Sequence, residues 1–440
     1  MPVEFLASQT GLSPAIQDPL PYTGGPLYLL WADLLLILRC MPTALGIFLP
    51  LNLLHPDIRD ELYPGSWRNL FSLFLHVVLV FMQASFLISL ISCLFVPLGW
   101  FIVYVAFFML LNYGICWFLN GSTIQLVSQV EVENEENHAS EYWVYLNGVS
   151  VGRDWLQSNV DRLSETFGRR VHGVHNPTDG IIFDLIQCLV QRNFSYSTQD
   201  VRDGYALIKE ALLNEDYTKI VFILHSQGGI EGGLIVDWLL NEIPQDLLHR
   251  LEIYTFGNAA NHFNNPHKSS TRHLAEELEV TADDSHSAIR HIEHYANSGD
   301  FVSRFGVLSF ISVRNRFMGR LFQGPGSGHL LNQHYLSEMF PLDENRKASE
   351  ENAFMDMEVT FSPYDQKSIL RESVPFSFYS CADRVGEADV AFVGDVNTPI
   401  TPVQISSPNS LVLEERTPRT LRVRDFSRLW KYRNGMSPES

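Results

Sequence analysis

The sequence predicts an α/β fold: a mostly parallel sheet with flanking helices, preceded by a transmembrane helical hairpin and followed by a largely disordered tail. Three observations predict it. Between Glu141 and Leu342, short apolar runs of strand length alternate with stretches of helical periodicity, the pattern of a parallel sheet built from crossover units. From Leu70 to Leu119 there is no Asp, Glu, Lys or Arg, and a bilayer-crossing helix needs about 20 apolar residues. Beyond Leu342 the periodicity fades into polar, Pro- and Ser-containing sequence, which has too little apolar surface to offset the entropy of ordering it.

In chain order, residues 1–25 are polar and Pro-containing, and read as a flexible N-terminus. They lack a basic start followed by a clean apolar core, so no cleaved signal peptide is expected. Residues 26–120 form the membrane region. Leu27–Leu54 is apolar but interrupted by Asp33 and Arg39, with Pro42 and Pro50 beyond. A charge at mid-span costs about 2.5–3.5 kcal/mol on insertion scales. This segment is therefore read as interfacial or re-entrant, with a third span as the alternative. The hairpin occupies 70–119: Leu70–Val96 and Trp100–Leu119 are its arms, and Pro97-Leu98-Gly99 its turn. Trp100, Tyr113 and Trp117 lie near the ends, where amphipathic aromatics favour the interface. A soluble helix pair apolar all round is the rival reading and a rare arrangement. Residues 121–140 are an acidic linker carrying Glu131, Glu133, Glu135 and Glu136, a solvated spacer by composition.

The globular part is expected over 141–342. Its strands are Tyr142–Leu146, Val171–Val174, Ile220–Leu224, Leu251–Phe256 and Ile289–Tyr295, and its helices Trp155–Phe167, Val201–Leu213 and Ile230–Leu240. In the tail, 343–440, the segment 416–433 alone stands out. Seven basic residues there interleave with Phe426, Leu429, Trp430 and Tyr432, a composition that can lie on anionic lipid. The formal net charge of −19 argues against a nucleic-acid partner. The five cysteines have no zinc-ligand or disulfide spacing and read as buried, inert thiols.

One motif carries chemistry. Ile220–Leu224 is a buried strand, His225-Ser226-Gln227-Gly228-Gly229 a sharp turn, and Ile230–Leu240 a helix. Strand, tight turn bearing Ser, and helix together make a nucleophile elbow, which lifts the hydroxyl above the carboxyl end of the sheet. The helix N-terminus behind it favours developing negative charge. At Leu224-His225-Ser226-Gln227-Gly228 the chain resembles the lipase-like side of the α/β-hydrolase superfamily, whose pattern is Gly-x-Ser-x-Gly. Leu224 departs from it at the first Gly.

That resemblance implies a chain order of Ser, then acid, then His. Ser226 is the implied nucleophile. Asp300, in the loop after Ile289–Tyr295, is the implied acid, against the alternative of an Asp that only stabilises a turn. His329, after a Gly-rich loop, is the implied base, and His334 is its rival. The implied oxyanion donors are the backbone N–H groups of Gln227 and, in the turn Leu146-Asn-Gly-Val, of Val149. Tyr254–Ala260 would shape the pocket beside Ser226. His291 and His294 face opposite sides of a strand, which speaks against a shared metal there.

The resemblance thus implies a membrane-anchored serine hydrolase that cleaves an acyl ester of a lipid, or an acyl thioester, and needs no cofactor or metal. The bilayer is its expected partner. A rival class is a catalytically inactive scaffold that keeps the fold and binds a protein partner. A transporter is disfavoured because two or three spans without polar intramembrane groups offer no obvious ion path. Arg59 and Arg68 precede the hairpin, so the positive-inside tendency places that side, and the α/β domain, in the cytosol of an endomembrane.

Overall fold

The computed structural model describes residues 2–8, 24–52, 56–122, 125–266, 287–313, 316–361 and 421–438. Among the described residues nine strands form one sheet: β1 (Val3–Leu6), β2 (Gln125–Val127), β3 (Glu141–Leu146), β4 (Val171–Val174), β5 (Lys219–His225), β6 (Leu251–Phe256), β7 (His291–Asn297), β8 (Arg320–Gly324) and β9 (Val359–Phe361). Their order is β2-β4-β3-β5-β6-β7-β8-β1-β9. The stretch from β4 to β8 is parallel throughout. β2 is antiparallel to β4 at one edge, and β1 pairs antiparallel with β8 and parallel with β9 at the other. The five strands legible as apolar runs are the contiguous set β4-β3-β5-β6-β7, with the last shifted to His291–Asn297. Strands covered on both faces are apolar nearly throughout. In β5, Val221 and Ile223 enter one core while Ile220, Phe222 and Leu224 enter the other, as a side-chain period of two requires.

The strands are joined by α4 (Arg153–Phe167), α5 (Ile181–Phe194), α6 (Gln199–Leu213) and α7 (Gly228–Glu242), and preceded by α1 (Pro26–Cys40), α2 (Trp67–Cys93) and α3 (Leu98–Asn120). Strand order reverses between β3 and β5: β3 leads to β4 on one side, and β5 to β6 on the other. In open α/β sheets the crevice at the carboxyl ends of the strands flanking such a reversal is where ligands bind.

The hairpin forms as α2 and α3. A narrower helical turn, Met41–Ile47, extends α1, and among the described residues three helices, Pro26–Ile47, Trp67–Cys93 and Leu98–Asn120, are long and apolar enough to cross a membrane. Of the two charges that argued against a span at 27–54, Asp33 faces protein and Arg39 is exposed. Asp33 pairs with Arg192 of α5 at 2.8 Å and accepts from Asn193 with its other oxygen, and all three are buried. The expectation that the spans carry no polar groups needs correction. Gln83 of α2 and Asn112 of α3 are buried and bonded to each other at 2.9 Å.

Three segments expected to be loose are folded where the structure describes them. The N-terminus supplies β1, with Val3 and Phe5 in the core. The acidic linker supplies β2 and a helical turn, Glu135–His138. In the tail, residues 421–438 pack under the sheet, with Val423, Leu429, Trp430 and Tyr432 buried. Four of the basic residues expected on lipid are instead paired with acids of the fold: Arg422 and Arg424 with Asp356, Arg433 with Glu350, and Arg428 with Glu252. Arg416, Arg419 and the rest of 362–420, where the disordered tail was expected, lie outside the described residues.

Arg428 reaches Glu252 at 2.8 Å, and its own N–H donates to Glu293 on the next strand. Burial pushes the Glu252 carboxyl up, but Arg428 outweighs this and holds it below the usual carboxylate range. Removing one partner of a buried pair costs about 3–5 kcal/mol, so Arg428→Leu is expected to lower unfolding stability by that order in chemical denaturation. Because the folded carboxyl titrates lower than the unfolded one, this contribution is full above about pH 4–5 and is lost as pH falls through the folded value. The wild-type advantage over the variant should therefore shrink on acidification, and a pH-independent difference would contradict the pairing.

Candidate active site

Ser226 follows β5 directly, at the strand reversal. Its backbone is left-handed, with φ of +59°, a conformation that costs a non-Gly residue about 1–2 kcal/mol. The neighbours hold it there. Ser226 N–H donates to the Phe256 carbonyl, and the Ser226 carbonyl accepts from Gly229 and Ala259. Three glycines make room for the turn. A Cβ on Gly148 would fall 2.3 Å from Cβ of Ser226, one on Gly228 would fall 2.5 Å from the Leu146 carbonyl oxygen, and one on Gly229 would fall 2.1 Å from Asn258 Oδ1. The departure at Leu224 is absorbed in the same way. A Cβ on Gly232 of α7 would lie 2.3 Å from Leu224 Cδ1, so the helix supplies the small residue and the strand the large one.

The structure brings Asp300 and His329 together and separates His334 from them. His329 Nδ1 lies 2.9 Å from Asp300 Oδ2. That carboxylate oxygen also accepts from Ser303 Oγ at 2.8 Å and Tyr335 Oη at 2.7 Å, while Oδ1 accepts from Val302 N–H at 2.8 Å. Asp300 therefore holds its turn and orients His329 at once, one oxygen for each task. Burial raises its carboxyl, but His329 and the hydroxyl donors prevail and hold it below its ordinary value. With Nδ1–H committed to Asp300, His329 presents Nε2 as an acceptor, and among the described residues this buried atom has no partner. His334 has none to spare. Its Nδ1 accepts from Leu330 N–H at 3.0 Å, which leaves Nε2–H to donate to the Pro50 carbonyl at 2.9 Å.

His225, beside Ser226, stacks on the His329 ring at 4.7 Å and bonds through Nε2 to the His329 carbonyl at 2.7 Å. Burial, reinforced by His329, lowers its pKa to about 3, so it is a neutral spacer. Gly257 backs the same cluster, since a Cβ there would lie within 3.0 Å of His329 Cε1, His329 Nδ1 and Asp300 Oδ2. Ser226, His329 and Asp300 are all buried, at 2%, 4% and 0% exposure.

The implied oxyanion groups sit on a braced frame. Asn147 Nδ2 donates to the Gly148 and Asn176 carbonyls, and Asn147 Oδ1 accepts from Asn176 N–H. Holding the Gly148 carbonyl toward Asn147 directs the Val149 N–H the opposite way across the trans peptide plane. Asn176 Nδ2 in turn donates to Gln227 Oε1 and Glu231 Oε1, each at 3.0 Å, and Gln227 Nε2 donates to Gln191. The Gln227 N–H itself belongs to the first turn of α7, where backbone donors lack intrahelical partners. Tyr335, Ser303, Asn176 and His225 were not singled out from the sequence. Only Ser303, three residues after Asp300 on a helical turn, carried a local signal. His294 is engaged by Thr255 and the Met318 carbonyl.

No family model matches the chain, and no curated protein matches it.

The Leu224–Gly232 exchange is testable by a double-mutant cycle. Overpacking a tight core costs about 1–3 kcal/mol, so Gly232→Ala alone should destabilise by that order. The same change in a Leu224→Ala background should cost much less, the two sites being in contact. Additive effects in thermal or denaturant unfolding would refute direct packing of one residue on the other.

Proposed function

We propose that this chain is a membrane-anchored serine hydrolase of the α/β-hydrolase type. The observation that carries the reading is the His329 imidazole: Nδ1 is tied to a buried carboxylate, Nε2 is unpartnered, and the ring stacks on the residue next to a strained serine at the strand reversal. In this reading Ser226 Oγ attacks an acyl carbonyl as His329 Nε2 takes its proton. Asp300 stabilises the resulting imidazolium and fixes the tautomer. The backbone N–H groups of Gln227 and Val149 receive the oxyanion. His329 then gives its proton to the departing alcohol or thiol, and water releases the acyl group from Ser226 by the same route. None of these steps calls for a cofactor or a metal.

Three apolar helices beside this cluster support a lipid ester or an acyl thioester held at a membrane as the substrate class. Arg59 and Arg68, next to the hairpin, support a cytosolic face for the α/β domain.

A fluorophosphonate probe on the detergent-solubilised full chain tests the reading. Wild type should label and Ser226→Ala should not. Removing a member of a triad that works as a unit lowers kcat by up to about 10⁶-fold, so Ser226→Ala and His329→Ala should both lose turnover of an acyl ester, while His334→Ala should keep it. Loss in His334→Ala with retention in His329→Ala would reverse the base assignment. A folded wild type that fails to label would favour an inactive scaffold with a protein partner.

A further inference from the structure

The exposed apolar residues of the α/β body are not scattered. Outside the three apolar helices and their connector, the large exposed hydrophobics among the described residues are Leu185, Ile186, Val190, Phe194 and Tyr196, with only Leu213, Leu421 and Met436 elsewhere. The first four lie on α5. Ile186, Val190 and Phe194 recur every four residues and so form one stripe along that helix. The charged residues of α5 turn the other way: Asp184 is buried under the 178–180 loop, and Arg192 is buried against Asp33 of α1. A soluble surface helix has the reverse arrangement, with its apolar stripe inward and its charges outward.

The neighbours of α5 say what covers this stripe. α5 packs against both α1 and α2. Phe183 of α5 meets Phe86 and Phe108 of the hairpin edge-on, at 6.5 and 6.0 Å. Just before α5, the Asp179 carbonyl accepts from Gln83 Nε2 at 2.6 Å and Asn112 Nδ2 at 3.1 Å. At about 1.5 Å per residue, Gln83 lies about 15 Å below the hairpin tip on α2, and Asn112 about 21 Å below it on α3. For a hydrocarbon layer about 30 Å thick, both are within it when the hairpin spans. The body loop they hold must then reach that depth too. Its backbone meets the condition for doing so, that irregular backbone inside a bilayer be satisfied by protein. Asp179 and Gly180 N–H donate to Asp184 and Thr178 side chains, and both backbone groups of Thr178 pair with Asn120 of α3.

We infer that α5, a helix of the α/β body, is immersed in the hydrocarbon beside the spans, its Leu185–Phe194 stripe covered by lipid acyl chains. This rests on the membrane part of the proposed function and specifies it. Through Asp184, which accepts from Ser150 N–H at 2.9 Å and from Thr178 Oγ1 at 2.6 Å, the immersed helix holds the loop that packs on Ser226. The candidate site is thus set at the edge of the acyl-chain layer, and its substrate class is the acyl chain of a bilayer-resident lipid.

The test uses the full chain reconstituted in phosphatidylcholine vesicles in which a fraction of the lipid carries a diazirine midway along one acyl chain. After photolysis, crosslinked lipid is mapped by peptide mass spectrometry. The inference expects label on Leu185–Tyr196 at a yield like that of α2 and α3, and several-fold above that of α6. Label on α2 and α3 with α5 no higher than α6 would overturn it. Label on none of these helices would overturn it together with the membrane reading, while fluorophosphonate reactivity of Ser226, read separately, would still decide the hydrolase assignment.

Discussion

The arrangement around Ser226 depends on how closely the loop after β3 can approach the end of β5. With ordinary residues at positions 148 and 228, the two backbones would have to separate, because each Cβ would fall within 2.3–2.5 Å of an atom across the gap. Glycine at both positions lets the β3 carbonyls seat against the first turn of α7. That seating holds Ser226 in a left-handed conformation at the mouth of the strand reversal, and the cost of the conformation is offset by backbone bonds to β6 and its following loop. The braced Asn147–Gly148 turn and the Gln227 peptide meet at this contact, and the Asp300–His329 pair reaches it through His225, which stacks on His329.

Behind it lies a buried polar network of a kind that is costly unless complete. Asn147, Asn176, Gln191, Gln227 and Glu231 are all buried, and each bonds to another of the set. Burial, with Asp200 beside it, pushes the carboxyl of Glu231, in the first turn of α7, well above its usual value. The network fixes the two peptides proposed as oxyanion donors to one another, through Asn176, without either relying on solvent.

The sequence made legible what short-range physics decides. The central strands were visible because both faces are covered and their residues are apolar in unbroken runs. The strand–turn–helix around Ser226 was visible because a buried apolar run, a Gly-rich turn and a helical periodicity follow one another without a gap. Asp300 and His329 were legible as positions, but the choice between His329 and His334 was not. That choice depends on Leu330 N–H and the Pro50 carbonyl, the latter nearly three hundred residues away in sequence. The edge strands were missed because they are short and draw their stability from distant partners: β1 pairs with β8 and β9. The basic segment 416–433 read as a lipid-binding surface because the acids that pair with its described arginines, on β6 and in the turns before β9, are distant in sequence. α5 was missed for a different reason. It is apolar on the face that packs on protein and also on the face that does not, so no single stripe stands out against a polar background.

The apolar N-terminal third is more than a tether. The connector between α1 and α2 lies against the loop that carries His329. The Ile47 carbonyl accepts from His329 N–H, the Pro50 carbonyl from Gln333 and His334, and the Glu61 carboxylate from Asn332 and Gln333 N–H. Glu61 is buried, and burial raises its carboxyl to about 7, a placement tolerated because two backbone donors at the start of the helical turn 331–336 converge on it. On the opposite side of the site, Asn112 and Gln83 hold the loop that leads into α5. The apolar segments thus grip both flanks of the candidate site through backbone hydrogen bonds. Detaching them from the α/β body would strip partners from the backbone around His329 as well as expose apolar surface. A rearrangement of the first apolar helix would therefore reach the proposed base directly, through the Ile47 carbonyl that accepts from His329 N–H.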